Sequence, residues 1–338
     1  MHEPQTLTVS VALCTYNGAR FVAEQLRGIL AQTRPAAQLI VADDGSTDGT
    51  LDVVEATVAA HRASHPGSTP ALRILTGDRH FGVAANFGRA LAAADGDLIA
   101  LSDQDDVWYP DRLARLVAAC EAVPEALLIH SDARLIDEHG TDLGTTLFAA
   151  LPVAAHELAL IHEGRGFEAY IHRNLATGAT CIIRRGLRDV ALPIPDGWVH
   201  DEWLAMLSSA LARTDVVEEP LTGYRQHGSN QIGVRRVTLG VRLERLREPR
   251  EPRNGRLLRR ARSLVERLDA LDGVMAEKRQ AARGKLVHEQ RRSALPATRI
   301  ARVPRVIAGA ARGDYARFGN GAQDVLRDIV QPGSERSA

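Results

Sequence analysis

Apolar positions along the first third of the chain recur with two different periods. Short runs rich in Val, Ile and Leu fall at Leu7–Cys14, Gln38–Ala42, Leu72–Thr76 and Leu98–Leu101; their length and β-branching predict strands. Helical spacing takes over from about Arg20 to Ala31, Asp48 to His61, Phe81 to Ala94 and Pro110 to Ala122. In the first of these, Phe21, Leu26, Ile29 and Leu30 form the buried stripe, and Asp48 stands where the second needs an N-cap. Strands alternating with helices of this length predict βαβ units, hence an α/β fold with a mostly parallel, Rossmann-like sheet flanked by helices. Such sheets bind ligands beyond the carboxyl ends of their strands.

From about Leu127 the pattern breaks into shorter pieces. Ala179–Ile183 and Leu221–Arg225 read as strands, and Asp201–Leu211 reads as a helix after the turn Pro195-Asp196-Gly197. Beyond Val237, Arg recurs among Leu and Val through Leu239–Leu246 and Leu257–Val274, with a Pro/Arg/Glu-rich break at Glu248–Asn254. This predicts a helical C-terminal extension over 237–338, following a first domain over 1–236.

Composition alters this picture in one respect. The 338 residues carry 42 basic and 42 acidic side chains, a formal net charge of zero. Residues 1–236 hold 19 Arg against 30 acids, a net of −11, and residues 237–338 hold the opposite +11. A basic region without an aromatic stacking platform argues against nucleic acid; it is expected either to rest on an anionic membrane surface or to form a solvated helical extension or a contact with a partner chain, including a second copy of this one. No uncharged run reaches the roughly 18 residues of a spanning helix. Met1-His2-Glu3-Pro4 is no signal-peptide start, and the odd set Cys14, Cys120 and Cys181 reads as reduced core residues. The expected location is cytoplasmic, with peripheral contact at the inner face of the cytoplasmic membrane.

Candidate chemistry lies in three polar turns at strand ends: Thr15–Gly18, Asp43–Thr47 and Ser102–Asp106. Asp103-Gln104-Asp105 puts two carboxylates on one side of an extended segment, and Asp106 adds a third to the same turn. Unpaired, these acids repel and raise one another's pKa; Mg²⁺ or Mn²⁺ together with a nucleotide's phosphates removes the conflict. Asp43 or Asp44 is placed to accept hydrogen bonds from a base or ribose.

Taken together, Val11–Asn17, Asp43–Asp48 and Ser102–Trp108 resemble the nucleotide-sugar-binding half of glycosyltransferase family 2, with its GT-A fold. His200-Asp201-Glu202-Trp203 and Tyr224–Asn230 resemble that family's later motifs. The resemblance divides the first domain into a nucleotide-sugar half (about 7–120) and an acceptor half (about 121–236). It implies that Thr15, Tyr16 and Asn17 line the nucleotide pocket, that Asp44 or Asp43 reaches the base, and that Asp103 approaches the ribose. Asp105 would bind the metal bridging the diphosphate, with His227 as a further ligand. Asp201, or Glu202 if the register slips by one, would be the general base of an inverting displacement. Asp106, Trp108, Gly178 and Arg225 are assigned to the acceptor or diphosphate side, Arg235 and Arg236 are further diphosphate candidates, and Trp198 and Trp203 could stack on a sugar.

The wording Ser-Asp-Gln-Asp-Asp-Val-Trp, followed by Tyr-Arg-Gln-His-Gly-Ser-Asn, resembles the bacterial rhamnosyltransferase-like subgroup. That implies transfer from dTDP-rhamnose, with a UDP-sugar as the alternative, to a surface-glycan or polyprenyl-linked acceptor. Processive relatives carry Gln-x-x-Arg-Trp, which is missing here. Two rival readings are a nucleotide-sugar-binding protein without catalysis and a nucleotidyltransferase; against the latter, Cys14–Gly18 is no basic, triphosphate-holding loop.

Overall fold

In a computed structural model, residues 6–77, 79–228 and 249–332 are described. The chain divides into two compact units. The first comprises 6–166, 175–194 and 199–228; the second comprises 167–174, 195–198 and 249–332. Leu239–Leu246, Arg235 and Arg236 lie outside the described residues.

The first unit is built on a sheet with strand order β3-β2-β1-β4-β8-β6-β9-β5, and β7 pairs on β6. Its strands are β1 (Val9–Thr15), β2 (Gln38–Asp43), β3 (Ala71–Leu75), β4 (Leu98–Ser102), β5 (Val107–Trp108), β6 (Ala126–Ile136), β7 (Asp142–Thr146), β8 (Cys181–Arg184) and β9 (Arg213–Arg225). β3, β2, β1 and β4 are parallel, joined by α1 (Val22–Leu30), α2 (Thr50–Ser64) and α3 (Val83–Ala92). Beyond β4 the sheet is mixed: β8 is antiparallel to both its neighbours, β6 and β9 run parallel, and β5 is antiparallel to β9. Both faces of β1 are buried, as a strand covered by helices on either side requires. Val11, Leu13, Leu39 and Val41 pack with Leu26 and Ile29 of α1 and with Leu113 and Leu116 of α4 (Arg112–Ala122). Each such fully buried side chain contributes about 1.5–3 kcal/mol relative to exposure.

Several boundaries moved for local reasons. The N-cap of α2 is Gly49, at φ 85°, rather than Asp48. Asp48 instead accepts from the N–H of Thr50 and, across the turn, from that of Ala19. The expected strand at 179–183 begins as a 3₁₀ turn over Gly178–Thr180, and the short strand at 221–225 is the end of the 13-residue β9. Between β7 and β8 lie α5 (Leu147–Ala150), α6 (Ala155–His162) and α7 (Gly166–Tyr170); α8 (Arg185–Ala191) and α9 (His200–Leu211) precede β9.

The second unit holds α10 (Arg250–Ala270), α11 (Ala276–Ser293), α12 (Arg299–Ala311), α13 (Asp314–Phe318) and α14 (Ala322–Val330). α10 begins inside the stretch expected to break it, because Pro252 falls in the first turn, where no helical N–H bond is lost. The unit's interior is ionic as well as apolar. Arg292 is 1% exposed and bonds Asp328 through both Nε and Nη2, at 2.7 and 3.1 Å. No helix among the described residues is long and apolar enough to cross a membrane.

Candidate active site

Strand register brings the acid turns together. Thr15 pairs with Asp43 across β1 and β2, and Leu13 pairs with Ser102 across β1 and β4, so all three turns open at one end of the sheet. β5 then pairs Val107 with Gly223, which swings the end of β9 back across the Asp105–Asp106 turn. The result is a cavity of about 420 Å³ whose lining includes Thr15, Tyr16, Asn17, Asp44, Asp103 and Asp105, together with Gly178, Asp201 and His227.

The two acids at the end of β2 have separate tasks. Asp43 accepts from the Thr15 hydroxyl (2.7 Å), from the Gly45 and Ser46 N–H groups (3.0 and 2.8 Å) and from the Ser46 hydroxyl (2.6 Å). It holds the turn and is not part of the cavity wall. Asp44 does line the cavity, and its carboxylate ties down the following loop through Phe81 N–H (2.6 Å), Gly82 N–H (2.9 Å) and His80 (2.9 Å). Asn17, at φ 48°, closes the first turn by accepting from Thr47 N–H at 2.9 Å. Tyr16 is held at its backbone by Gln104, which accepts from its N–H (2.8 Å) and donates to its carbonyl (3.1 Å). The exposed ring of Tyr16 stands at the cavity wall, 4.6 Å from that of His80.

Asp103, Asp105 and Asp201 concentrate negative charge here. Burial, then Asp105 and Asp201, raises the Asp103 carboxyl to about 7. Asp105 accepts from His227 Nε2 at 2.7 Å, and the His227 ring stacks on Phe21 with centroids 4.8 Å apart. A carboxylate oxygen and an imidazole nitrogen, side by side at the cavity wall, fit a divalent cation whose remaining ligands are phosphate oxygens and water. Among the described residues no group of three or more protein ligands could hold an ion unaided.

Asp106 is not part of this wall. It is 1% exposed, accepts from Arg225 N–H at 3.0 Å, and has one oxygen without a partner. Burial, Asp105 and Asp103 push its carboxyl far above the usual range. Arg225 also departs from the expected diphosphate side: its guanidinium turns inward. Nε donates to the Asp105 carbonyl (2.7 Å), Nη1 to the carbonyls of Asp137 and Glu138 (3.2 and 3.1 Å), and Nη2 to Glu24 (2.7 Å). Arg225 therefore fastens the acid turn to the turn that follows β6 and to α1. Arg225→Ala is expected to lower unfolding free energy by on the order of 3 kcal/mol. Arg225→Lys should restore little of that, since one ammonium cannot span four acceptors; urea denaturation measures both.

The tryptophans pack rather than face a sugar. Trp108 lies under the Arg112 guanidinium (3.7 Å to its ring), and Trp203 donates to the Ala191 carbonyl at 2.8 Å. Trp198 belongs to the second unit, where its indole donates to Ser263 at 3.0 Å.

Asp201 sits in the first turn of α9, whose N-cap is Val199, so it is not the capping residue itself. Its oxygens accept from Gly178 N–H (3.1 Å) and Glu202 N–H (2.6 Å). Glu202, one residue on, is not in the cavity wall. His200, to which the resemblance assigns no role of its own, lines the cavity while 4% exposed. Its ring stacks on Phe87 at 3.7 Å, neither ring nitrogen has a hydrogen-bond partner, and burial drives its pKa down to about 3. The ring fits because residue 178 is Gly: a Cβ there would stand 2.3 Å from Nε2. Gly178→Ala must displace either the ring or the N–H that bonds Asp201. Turnover should fall roughly 10–100-fold with nucleotide affinity held within about twofold, and adding His200→Ala should restore part of it; steady-state kinetics with nucleotide binding test this. Phe21, expected in the buried stripe of α1, is instead the residue that caps it and lines the cavity, because the helix begins only at Val22; Gln104 and Phe87 are further wall residues. Asn86 and Phe87 had a signal, since with Val83 they share one face of α3.

A sequence profile described as Glycosyl transferase family 2 matches residues 10–189. An uncharacterized glycosyltransferase of Nostoc, alr2836, is 27% identical over 229 residues, covering 66% of each chain. The putative glycosyltransferase EpsE of Bacillus subtilis is 32% identical over 144 residues, 43% of this chain and 49% of that protein. The dTDP-rhamnosyl transferase RfbG of Shigella flexneri is 25% identical over 234 residues, 65% of this chain and 73% of that one. The chain thus spans from about half to somewhat under three-quarters of these relatives' lengths. Among solved structures, Staphylococcus aureus TarS 1–349 in complex with UDP-GlcNAc superposes with a TM-score of 0.59 at 15% identity, covering 96% of this chain and 90% of TarS 1–349. The mannosyltransferase PcManGT of Pyrobaculum calidifontis, in complex with GDP-Man and Mn²⁺, gives 0.51 at 21% identity, covering 92% and 76%. The profile match over more than half the chain and the shared architecture place this chain in glycosyltransferase family 2, with the GT-A fold.

Proposed function

We propose that the cavity binds a nucleotide-sugar with a divalent cation and transfers its sugar, with inversion, to a hydroxyl of a bacterial surface-glycan acceptor. The observation that carries this reading is the convergence of acids on one cavity: Asp105 with its partner His227, Asp103 and Asp201 all line it, and the charges of Asp105 and Asp201 both bear on the Asp103 carboxyl. Tyr16 offers a ring face and Asn17 and Asp44 offer polar groups to the nucleoside, while Asp103 faces its ribose. Asp105 and His227 are the residues that would hold Mg²⁺ or Mn²⁺, and the ion would supply positive charge to offset that of the departing diphosphate.

In the displacement, the acceptor oxygen forms the new bond at the anomeric carbon. The bond from that carbon to the diphosphate breaks with its electron pair, and the hydroxyl proton passes to the Asp201 carboxylate. Gly178 and Glu202 N–H groups fix that carboxylate in place, which matters because a base must meet its proton within hydrogen-bond reach. With one base and one displacement, no covalent glycosyl-enzyme forms.

dTDP-rhamnose is the favoured donor, supported by the likeness to RfbG; a UDP-sugar is the alternative. A surface-glycan acceptor is supported by the likeness to the putative teichuronic acid biosynthesis glycosyltransferase TuaG of Bacillus subtilis, 29% identical over 107 residues; a polyprenyl-linked acceptor is the alternative. A panel of dTDP-, UDP- and GDP-sugars, incubated with and without Mn²⁺, tests the reading. Metal-stimulated release of nucleoside diphosphate is expected, fastest from the dTDP donor; no release from any donor would sink it.

A further inference from the structure

The outward face of α12 breaks the usual order of a surface helix. Its inward positions are Arg302, Val306 and Gly309, all buried. Arg302 is spent on backbone carbonyls of Pro296, Asp328 and Gln331 (2.7, 3.2 and 2.7 Å). The opposite face, where charged and polar side chains belong, carries Ile300, Pro304, Ile307 and Ala311. These recur at steps of four, three and four, and therefore form one stripe. Ile300 is 88% exposed and Ile307 57%.

The stripe is bordered by positive charge. Residues 299–312 contain Arg299, Arg302, Arg305 and Arg312 and no acid. Neither Arg299 nor Arg305 has an acidic partner among the described residues, although Arg305 donates to the Ala301 carbonyl of its own helix at 3.3 Å. Beside the helix opens a recess of about 320 Å³ lined by Arg291, Arg305, Arg312 and His288, with Asp314 as its one acid. Asp314 pairs with Arg291 and Arg312 at 3.1 and 2.9 Å, which leaves the recess cationic.

We infer that α12 lies on an anionic bilayer, with Ile300 and Ile307 entering the acyl boundary and a lipid phosphate seated among Arg305, Arg312 and Arg291. Exposed apolar residues flanked by arginines are the pattern of an interfacial helix. Charge decides against the other occupant, a second copy of this chain. A two-fold contact would set this acid-free helix against itself and bring arginines face to face. The surface stands independently of the catalytic assignments, and it gives the basic part of the chain a specific contact rather than a diffuse attraction.

The test is co-sedimentation of the full chain with vesicles of phosphatidylcholine alone and of phosphatidylcholine with phosphatidylglycerol. Binding is expected only with the anionic lipid and should weaken as salt is raised. Ile300→Asp with Ile307→Asp should reduce it by roughly tenfold or more. Arg305→Gln should reduce binding and its salt dependence together. Both replaced isoleucines are solvent-exposed, so thermal unfolding and nucleoside diphosphate release should stay at wild-type levels, which separates a failed surface from a failed enzyme. Failure of the wild type to bind anionic vesicles, or equal binding by the double Ile variant, would overturn the inference. So would a wild-type dimer that the double variant dissociates in the absence of lipid.

Discussion

Replacing Asp201 with Asn is expected to reduce sugar transfer by roughly 10²–10⁴-fold while leaving affinity for the nucleoside diphosphate within about twofold. The substitution keeps the shape of the side chain and one oxygen able to accept from Gly178 or Glu202. What it removes is the capacity to take a proton from the acceptor hydroxyl. Asp201 lines the cavity and Glu202 does not, so Glu202→Gln should leave transfer near the wild-type rate. Parallel measurement of transfer and of nucleotide binding distinguishes loss of the base from loss of the site. Unchanged transfer in the Asp201 variant, or a large loss in the Glu202 variant, would reassign the base.

The second large effect is expected at Asp105. Asp105→Asn should abolish the gain in nucleoside diphosphate affinity that Mn²⁺ produces in the wild type, a loss of about two orders of magnitude or more. An amide in place of the carboxylate removes the charged ligand beside His227, whose Nε2 lies 2.7 Å from the Asp105 oxygen. Affinity measured without metal should change far less. Calorimetric titration with and without Mn²⁺ makes the comparison; a variant that keeps the metal-dependent gain would place the ion elsewhere in the cavity. The backbone carbonyl of Asp105, which accepts from Arg225, is untouched by the substitution, so unfolding should not be strongly affected.

The sheet's parallel half was legible because β1, β2 and β4 are short β-branched runs closed by turn residues, with helices of clear period between them. The same arithmetic placed three polar turns, two of them rich in acids, at one end of the sheet. What it could not do was divide labour within a turn. Asp43 and Asp44 are adjacent, yet Asp43 pairs with Thr15 across the ladder and is consumed by its own turn, while Asp44 reaches the cavity wall. Arg225 looked like a phosphate ligand because arginines commonly are. Once β5 has paired with β9, the Arg225 guanidinium is committed by hydrogen bonds to the acid turn and to the turn after β6. Gly178 and His200 are 22 positions apart, and the fit of a ring into the space of an absent Cβ leaves no trace in composition or period. Long-range complementarity of this kind appears only once both elements have been placed.

The zero net charge dissolves in a similar way. The acids of the first unit gather in part around the cavity, and some of the arginines of the second are interior, as Arg292 and Arg302 show. The arginines flanking Ile300 and Ile307 are the ones on which the inferred bilayer contact depends.

The proposed function depends most heavily on a cation held jointly by Asp105, His227 and a nucleotide's diphosphate. The electron paramagnetic resonance signal of free Mn²⁺, titrated against the wild-type protein without and then with dTDP or UDP, reads this out. Weak uptake is expected with the protein alone and tight uptake once the nucleoside diphosphate is present. Mn²⁺ uptake that is indifferent to the nucleotide, or absent in its presence, would contradict the proposed function.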